Sequence, residues 1–170
     1  LSEQIDTKNG TICINAAFGE FPGVAGVMFP LFAKIITVVP YSSDILASLS
    51  RNNERTEKLI ANTGSKITSD RLDYYKILFS KPDHVKGTLK LMAEWDLSKF
   101  LKHLKNSDAN INFLVGTLDK TVPISISKKW SQTLTKSNYK EIQGAGHLVH
   151  EEMPYEVSQS ILEQLKAPRV

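Results

Sequence analysis

The sequence predicts an α/β fold: a parallel sheet flanked by helices and interrupted by an all-helical insertion. Three observations lead there. Apolar, strand-length runs start at Thr11, Ile111 and Tyr139. Helical periodicity follows the second and the third of these runs. Between the first and the second, only helical patterns occur. Strands alternating with helices argue for a parallel sheet. An all-helical insertion between two strands argues for a cap at the sheet's C-terminal edge, where such folds bind ligands. The expected division is a sheet part over 1–18 and 106–170, with a cap over 19–105.

Residues 1–6 read as the end of a helix, closed by the turn signal Asn9-Gly10. Thr11 to Phe18 is apolar and rich in β-branched residues, the pattern of a buried strand. The stretch from Val24 to Val39 is almost wholly apolar. It falls short of the ~20 residues that span a bilayer, and Pro30 and Lys34 break it. It is read as two short buried helices hinged at Pro30, or as an apolar lid, and not as a transmembrane segment. A helix is expected over 43–61, stopped by Asn62-Thr63-Gly64-Ser65. A second runs from Thr68 to Phe79. A third starts at Pro82 and carries Val85, Leu89, Met92 and Trp95 on one stripe, with a break at Trp95-Asp96 before Leu104. Asn106 to Asn110 reads as a polar loop and Ile111 to Val115 as the second strand. Ile126, Trp130 and Leu134 mark a helix, and Tyr139 to Ile142 the third strand. Val157, Ile161, Leu162 and Leu165 mark a closing amphipathic helix with Pro154 in its first turn.

Composition narrows the function classes. Lys and Arg number 21 against 18 Asp and Glu, a net charge of +3 in 170 residues. The lysines alternate with acidic residues and nowhere interleave with aromatics, so no nucleic-acid footprint is expected. Cys13 is the single cysteine and lies in the apolar run Thr11–Ile14. It is expected to be an inert core thiol in a reducing, cytoplasmic compartment. The chain opens at Leu1 with no signal-peptide pattern, and its first residues look like a helix tail. That suggests a piece of a longer protein.

Chemistry is expected where two loops follow strands. His147 lies in Gly144-Ala145-Gly146-His147, between the third strand and a Pro-started helix. A histidine on a rigid turn with small neighbours suits a general base. Asp119 follows the second strand, 28 positions earlier, in Gly116-Thr117-Leu118-Asp119. With parallel strands, both side chains emerge at one sheet edge, one strand–helix–strand unit apart. The carboxylate would then orient the imidazole and stabilise its charged form. The bland alternatives are a turn or N-cap role for Asp119 and a backbone-bonded loop histidine. His84, His103 and His150 are assigned to capping, solvent or packing. Glu151 and Glu152 are assigned to the N-terminus of the last helix. No third metal ligand accompanies His147 and His150, so neither a metal nor a cofactor is expected.

Gly116-x-x-Asp119-x-x-Val122-Pro123, then Gly144-x-Gly146-His147 and Glu152-x-Pro154, resembles the C-terminal part of the α/β-hydrolase superfamily. The resemblance implies Asp119 as triad acid and His147 as triad base. Ile14–Phe18, Met28–Lys34, Asn62–Ser65, Asp83–Gly87, Leu91–Leu97 and His147–Glu152 are similar to the magnesium-chelatase accessory proteins of bacteriochlorophyll synthesis. That implies assistance to magnesium insertion into protoporphyrin in photosynthetic pigment synthesis. One departure stands out. The superfamily's nucleophile elbow, G-x-S-x-G, is absent, and Gly64-Ser65-Lys66 lacks its second glycine. The serine is therefore expected upstream of Leu1.

Met28, Phe29, Phe32, Met92 and Trp95 are assigned to the cap core, or to the wall of a pocket for a small hydrophobic substrate or a tetrapyrrole. Magnesium chelatase is an expected partner. Two readings stay open: an accessory to magnesium insertion, and an ester, epoxide or haloalkane hydrolase of the same fold.

Overall fold

The computed structural model describes residues 10–19, 34, 39–49 and 52–166. The apolar stretch before Lys34, with Met28, Phe29 and Phe32, lies outside the described residues, as does the helix tail at 1–6. The strands are β1 (Thr11–Ile14), β2 (Asn110–Gly116) and β3 (Lys136–Ile142). All pair in parallel in the order β1-β2-β3, with Ile14 opposite Leu114 and Gly116 opposite Ile142. Their C-terminal ends, and the loops that follow, therefore share one edge.

The chain forms two compact units. The first comprises 1–19, 63–66 and 98–170. It holds the sheet, α5 (Ser98–Lys105), α6 (Ile124–Thr133), the single turn α7 (Val149–Glu152) and α8 (Pro154–Lys166). The second comprises 20–62 and 67–97, with α1 (Ser42–Leu49), α2 (Asn53–Asn62), α3 (Ser69–Phe79) and α4 (Pro82–Ala93). Three stretches that the sequence alone places in the insertion, Gly19, 63–66 and 98–105, group with the sheet.

Period-two alternation divides the core of the sheet unit between two faces. Ile111 and Phe113 pack with Leu104 and Leu134 on one face, joined by Cys13, Trp130 and Tyr139. Leu114 packs with Ile142, Ala145, Val149 and Val157 on the other. Hence β2, covered on both sides, reads as an apolar run, whereas β3 alternates exposed and half-buried residues. That alternation is why β3 begins at Lys136, three residues before the apolar signal.

β1 is shorter than its apolar run suggests. Asn15 takes a left-handed backbone (φ 44°), which ends the strand after Ile14. Phe18 then turns into an aromatic cluster. Its ring meets Phe113 edge-on at 5.6 Å and Trp130 at 6.4 Å, and the Trp130 indole N–H donates to the Phe18 carbonyl. The helix expected over 43–61 is two helices, α1 and α2. The side chain of Asn52 caps the second, accepting the Glu54 N–H at 2.9 Å. The break expected at Trp95-Asp96 separates α4 from α5.

In the helical unit, Ala47, Ile60, Ala93 and the side chain of Thr56 are buried. Ile45, Leu59, Ile77 and Leu91 are each more than half exposed. Met92 is half-buried and Trp95 is 38% exposed. Among the described residues, no helix is long and apolar enough to cross a membrane.

Phe113 is 1% exposed at the centre of its face. Phe113→Ala should lower stability by about 3–5 kcal/mol, read from the urea midpoint at unchanged m-value. Burial pushes the Cys13 thiol from its ordinary 9.0 up to about 11. The thiolate is the reactive species, so alkylation of the folded chain should stay slow at pH 8 and rise steeply only towards pH 11. By the same shift, the contribution of Cys13 to stability is fully present below pH 9 and is lost as pH rises through about 11. Rapid labelling of native protein at pH 8 would contradict both expectations.

Candidate active site

The acid loop leaves β2 at Gly116. Thr117 N–H donates to the Ile142 carbonyl at 3.1 Å and Leu118 N–H to the Ala145 carbonyl at 2.8 Å, so the acid and histidine loops run against each other. Asp119 follows, with its side chain 1% exposed. Its Oδ1 accepts the N–H groups of Thr121 at 2.8 Å and Val122 at 2.9 Å. Its Oδ2 lies 2.9 Å from His147 Nδ1. The turn role and the orienting role thus coexist, one on each carboxylate oxygen. A buried charge needs such partners, and three hydrogen bonds supply them.

His147 comes from the loop between β3 and α7, with its side chain 28% exposed. With Nδ1–H directed at the carboxylate, Nε2 carries the free lone pair of the neutral ring. In that tautomer the ring can serve as a general base. The spacing of strand, helix and strand makes this proximity geometrically reasonable from the sequence.

Other parts of the site carry little sequence signal. Asn15 is 6% exposed and joins three strand ends. Its Nδ2 donates to the carbonyls of Gly146 (3.0 Å) and His147 (2.6 Å), and its Oδ1 accepts the Gly116 N–H at 2.8 Å. A polar Asn inside the apolar run Thr11 to Phe18 is the only trace of this in the sequence. Ser65 is 3% exposed, and its hydroxyl accepts the Leu148 N–H at 2.8 Å. Glu152 differs from its expected role at the start of the last helix. Its two oxygens accept the N–H groups of Gly146 and Lys66, each at 2.9 Å.

Of the remaining histidines, His84 and His103 are exposed, and His150 lies 3.7 Å from Glu151. Among the described residues, no group of three or more His, Cys, Asp and Glu is placed to hold a metal ion. A cavity of about 240 Å³ lies on the sheet face, lined by Ile12, Asn112, Leu114, Asn138, Lys140 and Gln164 among others. Neither Asp119 nor His147 lines it, so it is not the space in which the dyad would act.

Solved structures share this fold. An α/β-hydrolase-fold protein from Burkholderia ambifaria superposes with a TM-score of 0.65 at 15% identity, covering 89% of this chain and 55% of its own. A thermophilic esterase from Thermogutta terrifontis gives 0.58 at 21% identity, covering 93% and 56%. This chain has the α/β-hydrolase fold. No family model matches it. In sequence, the chain is similar to the magnesium-chelatase 30 kDa subunit of Rhodobacter capsulatus. The two are 33% identical over 153 residues, which make up 90% of this chain and 54% of that subunit. The resemblance seen in the motifs therefore extends along most of the chain. The chain spans about half the length of the relatives it matches.

Asp119→Asn should leave the turn intact, because the amide oxygen still accepts from Thr121 and Val122. The amide nitrogen would then face His147 as a donor and drive the ring to the Nε2–H tautomer. Long-range ¹⁵N–¹H spectra of the ring should show Nδ1–H in the parent chain and Nε2–H in the variant. The same tautomer in both would contradict the geometry.

Proposed function

We propose that this chain is the dyad-bearing part of an α/β-hydrolase-fold accessory to magnesium insertion into protoporphyrin, in bacteriochlorophyll or chlorophyll synthesis. The observation that carries the proposal is the 33% identity to the magnesium-chelatase 30 kDa subunit along 90% of the chain. A tetrapyrrole is flat and apolar. The exposed Ile45, Leu59, Ile77 and Leu91 of the helical unit support a hydrophobic ligand or partner. Met28, Phe29, Phe32, Met92 and Trp95 are the proposed pocket residues. Magnesium chelatase is the proposed partner, and the cytoplasm, with at most peripheral membrane contact, the proposed location.

In this proposal Asp119 and His147 serve a serine that lies upstream of residue 1. The serine hydroxyl attacks an acyl carbon, His147 Nε2 takes its proton, and Asp119 stabilises the imidazolium that forms. Metal insertion forms no acyl intermediate, so pigment binding and the dyad are separable functions of one fold.

A hydrolase acting on esters, epoxides or haloalkanes is the second reading, favoured by the buried, fully hydrogen-bonded acid at 2.9 Å from His147. The residue at the upstream elbow discriminates. Asp there, in place of Ser, would open epoxides or displace halide through an alkyl-enzyme ester.

Titration of the full chain with protoporphyrin, followed at the Soret band, should show saturable binding that persists in the Asp119→Ala/His147→Ala double variant. In the intact protein, which carries the upstream nucleophile, turnover of a small p-nitrophenyl ester should fall by about 10⁴-fold in His147→Ala. Absence of porphyrin binding would sink the accessory role. Undiminished hydrolysis by His147→Ala would sink the role of the base.

A further inference from the structure

The four residues Thr63–Lys66 form a strap that joins the end of α2 to the approach to α3, yet they belong to the sheet unit. They meet both loops of the dyad. The Thr63 carbonyl accepts the N–H of Lys120, the residue after Asp119, at 3.0 Å. The Ser65 hydroxyl accepts the N–H of Leu148, the residue after His147, at 2.8 Å. Lys66 N–H donates to Glu152 Oε2, and Glu152 Oε1 takes the N–H of Gly146, the residue before His147, each at 2.9 Å. Between Thr63 and Ser65, Gly64 (φ 86°) lies backbone-to-backbone against the Leu118 carbonyl and against Gly146. A Cβ on either glycine would overlap the other chain segment.

We propose that Ser65 and Glu152 are positioning residues for His147, clamping the loop on either side of it to the Thr63–Lys66 strap so that Nδ1 stays aligned with Asp119. Two features set this apart from ordinary loop packing. The bonds flank His147 in sequence, at 146 and at 148, so together they fix the direction in which its Cα–Cβ bond leaves the loop. They also come from side chains outside the loop's own turn, Ser65 from a distant segment and Glu152 from the following helix. Ser65 accordingly works through the backbone of its neighbour and is not the missing nucleophile. A misplacement of about 1 Å at a general base lowers turnover by about 10²-fold, which sets the scale of the expected effect.

The consequence for turnover rests on the proposed role of His147 as base. The consequence for ring geometry does not, so the two are measured separately. In the full chain, Ser65→Ala should broaden or abolish the Nδ1–H resonance of His147 while the circular dichroism and the thermal midpoint stay near those of the parent. Ser65→Thr, which keeps the hydroxyl, should restore the resonance. Glu152→Gln turns one acceptor into a donor without opening a cavity and serves if Ser65→Ala does not fold. It should have the same spectral effect. Where an ester is turned over, kcat should fall tenfold or more in Ser65→Ala and Glu152→Gln, with KM within twofold of the parent. If the folded variants keep the parental resonance, or lose it only together with global structure, the clamp does not position His147. If the resonance changes as expected and the intact protein, which carries the upstream nucleophile, hydrolyses no ester, the clamp stands and the base role fails.

Discussion

Backbone approaches backbone at three glycines, and the candidate site depends on that contact. A Cβ on Gly116 would overlap the Ala145 and Gly146 carbonyls, one on Gly146 would enter Gly64, and one on Gly64 would enter the Leu118 carbonyl. The acid loop, the histidine loop and the strap can be this close only because none of the three carries a side chain there. Proximity then lets short, direct hydrogen bonds satisfy the loop peptides: Leu118 to Ala145, Lys120 to Thr63, Leu148 to Ser65. Buried peptide groups demand such partners, so the loops are determined by mutual satisfaction more than by their own turn propensities.

Asn15 extends the same logic to the end of β1. Its left-handed backbone stops the strand, and its amide spends both donor and acceptor capacity on Gly146, His147 and Gly116. One side chain thereby ties three adjacent strand ends. Asp119 is equally economical. One oxygen closes the turn and the other holds the imidazole. The charge is buried without being unsolvated, because protein donors replace water around it.

A site of this kind does not specify a substrate. The α/β-hydrolase fold hosts many chemistries, and neighbours at 15% and 21% identity speak to architecture only.

Much of this was legible from residues alone, for physical reasons. β2 is buried on both faces and reads as an apolar run. Asp119 and His147 follow successive strands, and parallel pairing must bring such positions to one edge. The amphipathic α8 with Pro154 at its start needs no tertiary information. Other features were not legible. The start of β3 alternates polar residues, so its pairing with β2 becomes visible only through the ladder from Asn110–Lys136 to Gly116–Ile142. The strap at 63–66 looks like a helix stop because its sequence is that of one, and its attachment to the sheet unit is made by contacts more than fifty positions away in sequence. Thus the sequence by itself determined the fold class and the placing of Asp119 and His147 after successive strands, since periodicity and the succession of elements along the chain are local properties. Only the tertiary structure decided what holds that pair in place. Asn15, Ser65 and Glu152 act through hydrogen bonds to distant backbone, and no local pattern encodes those.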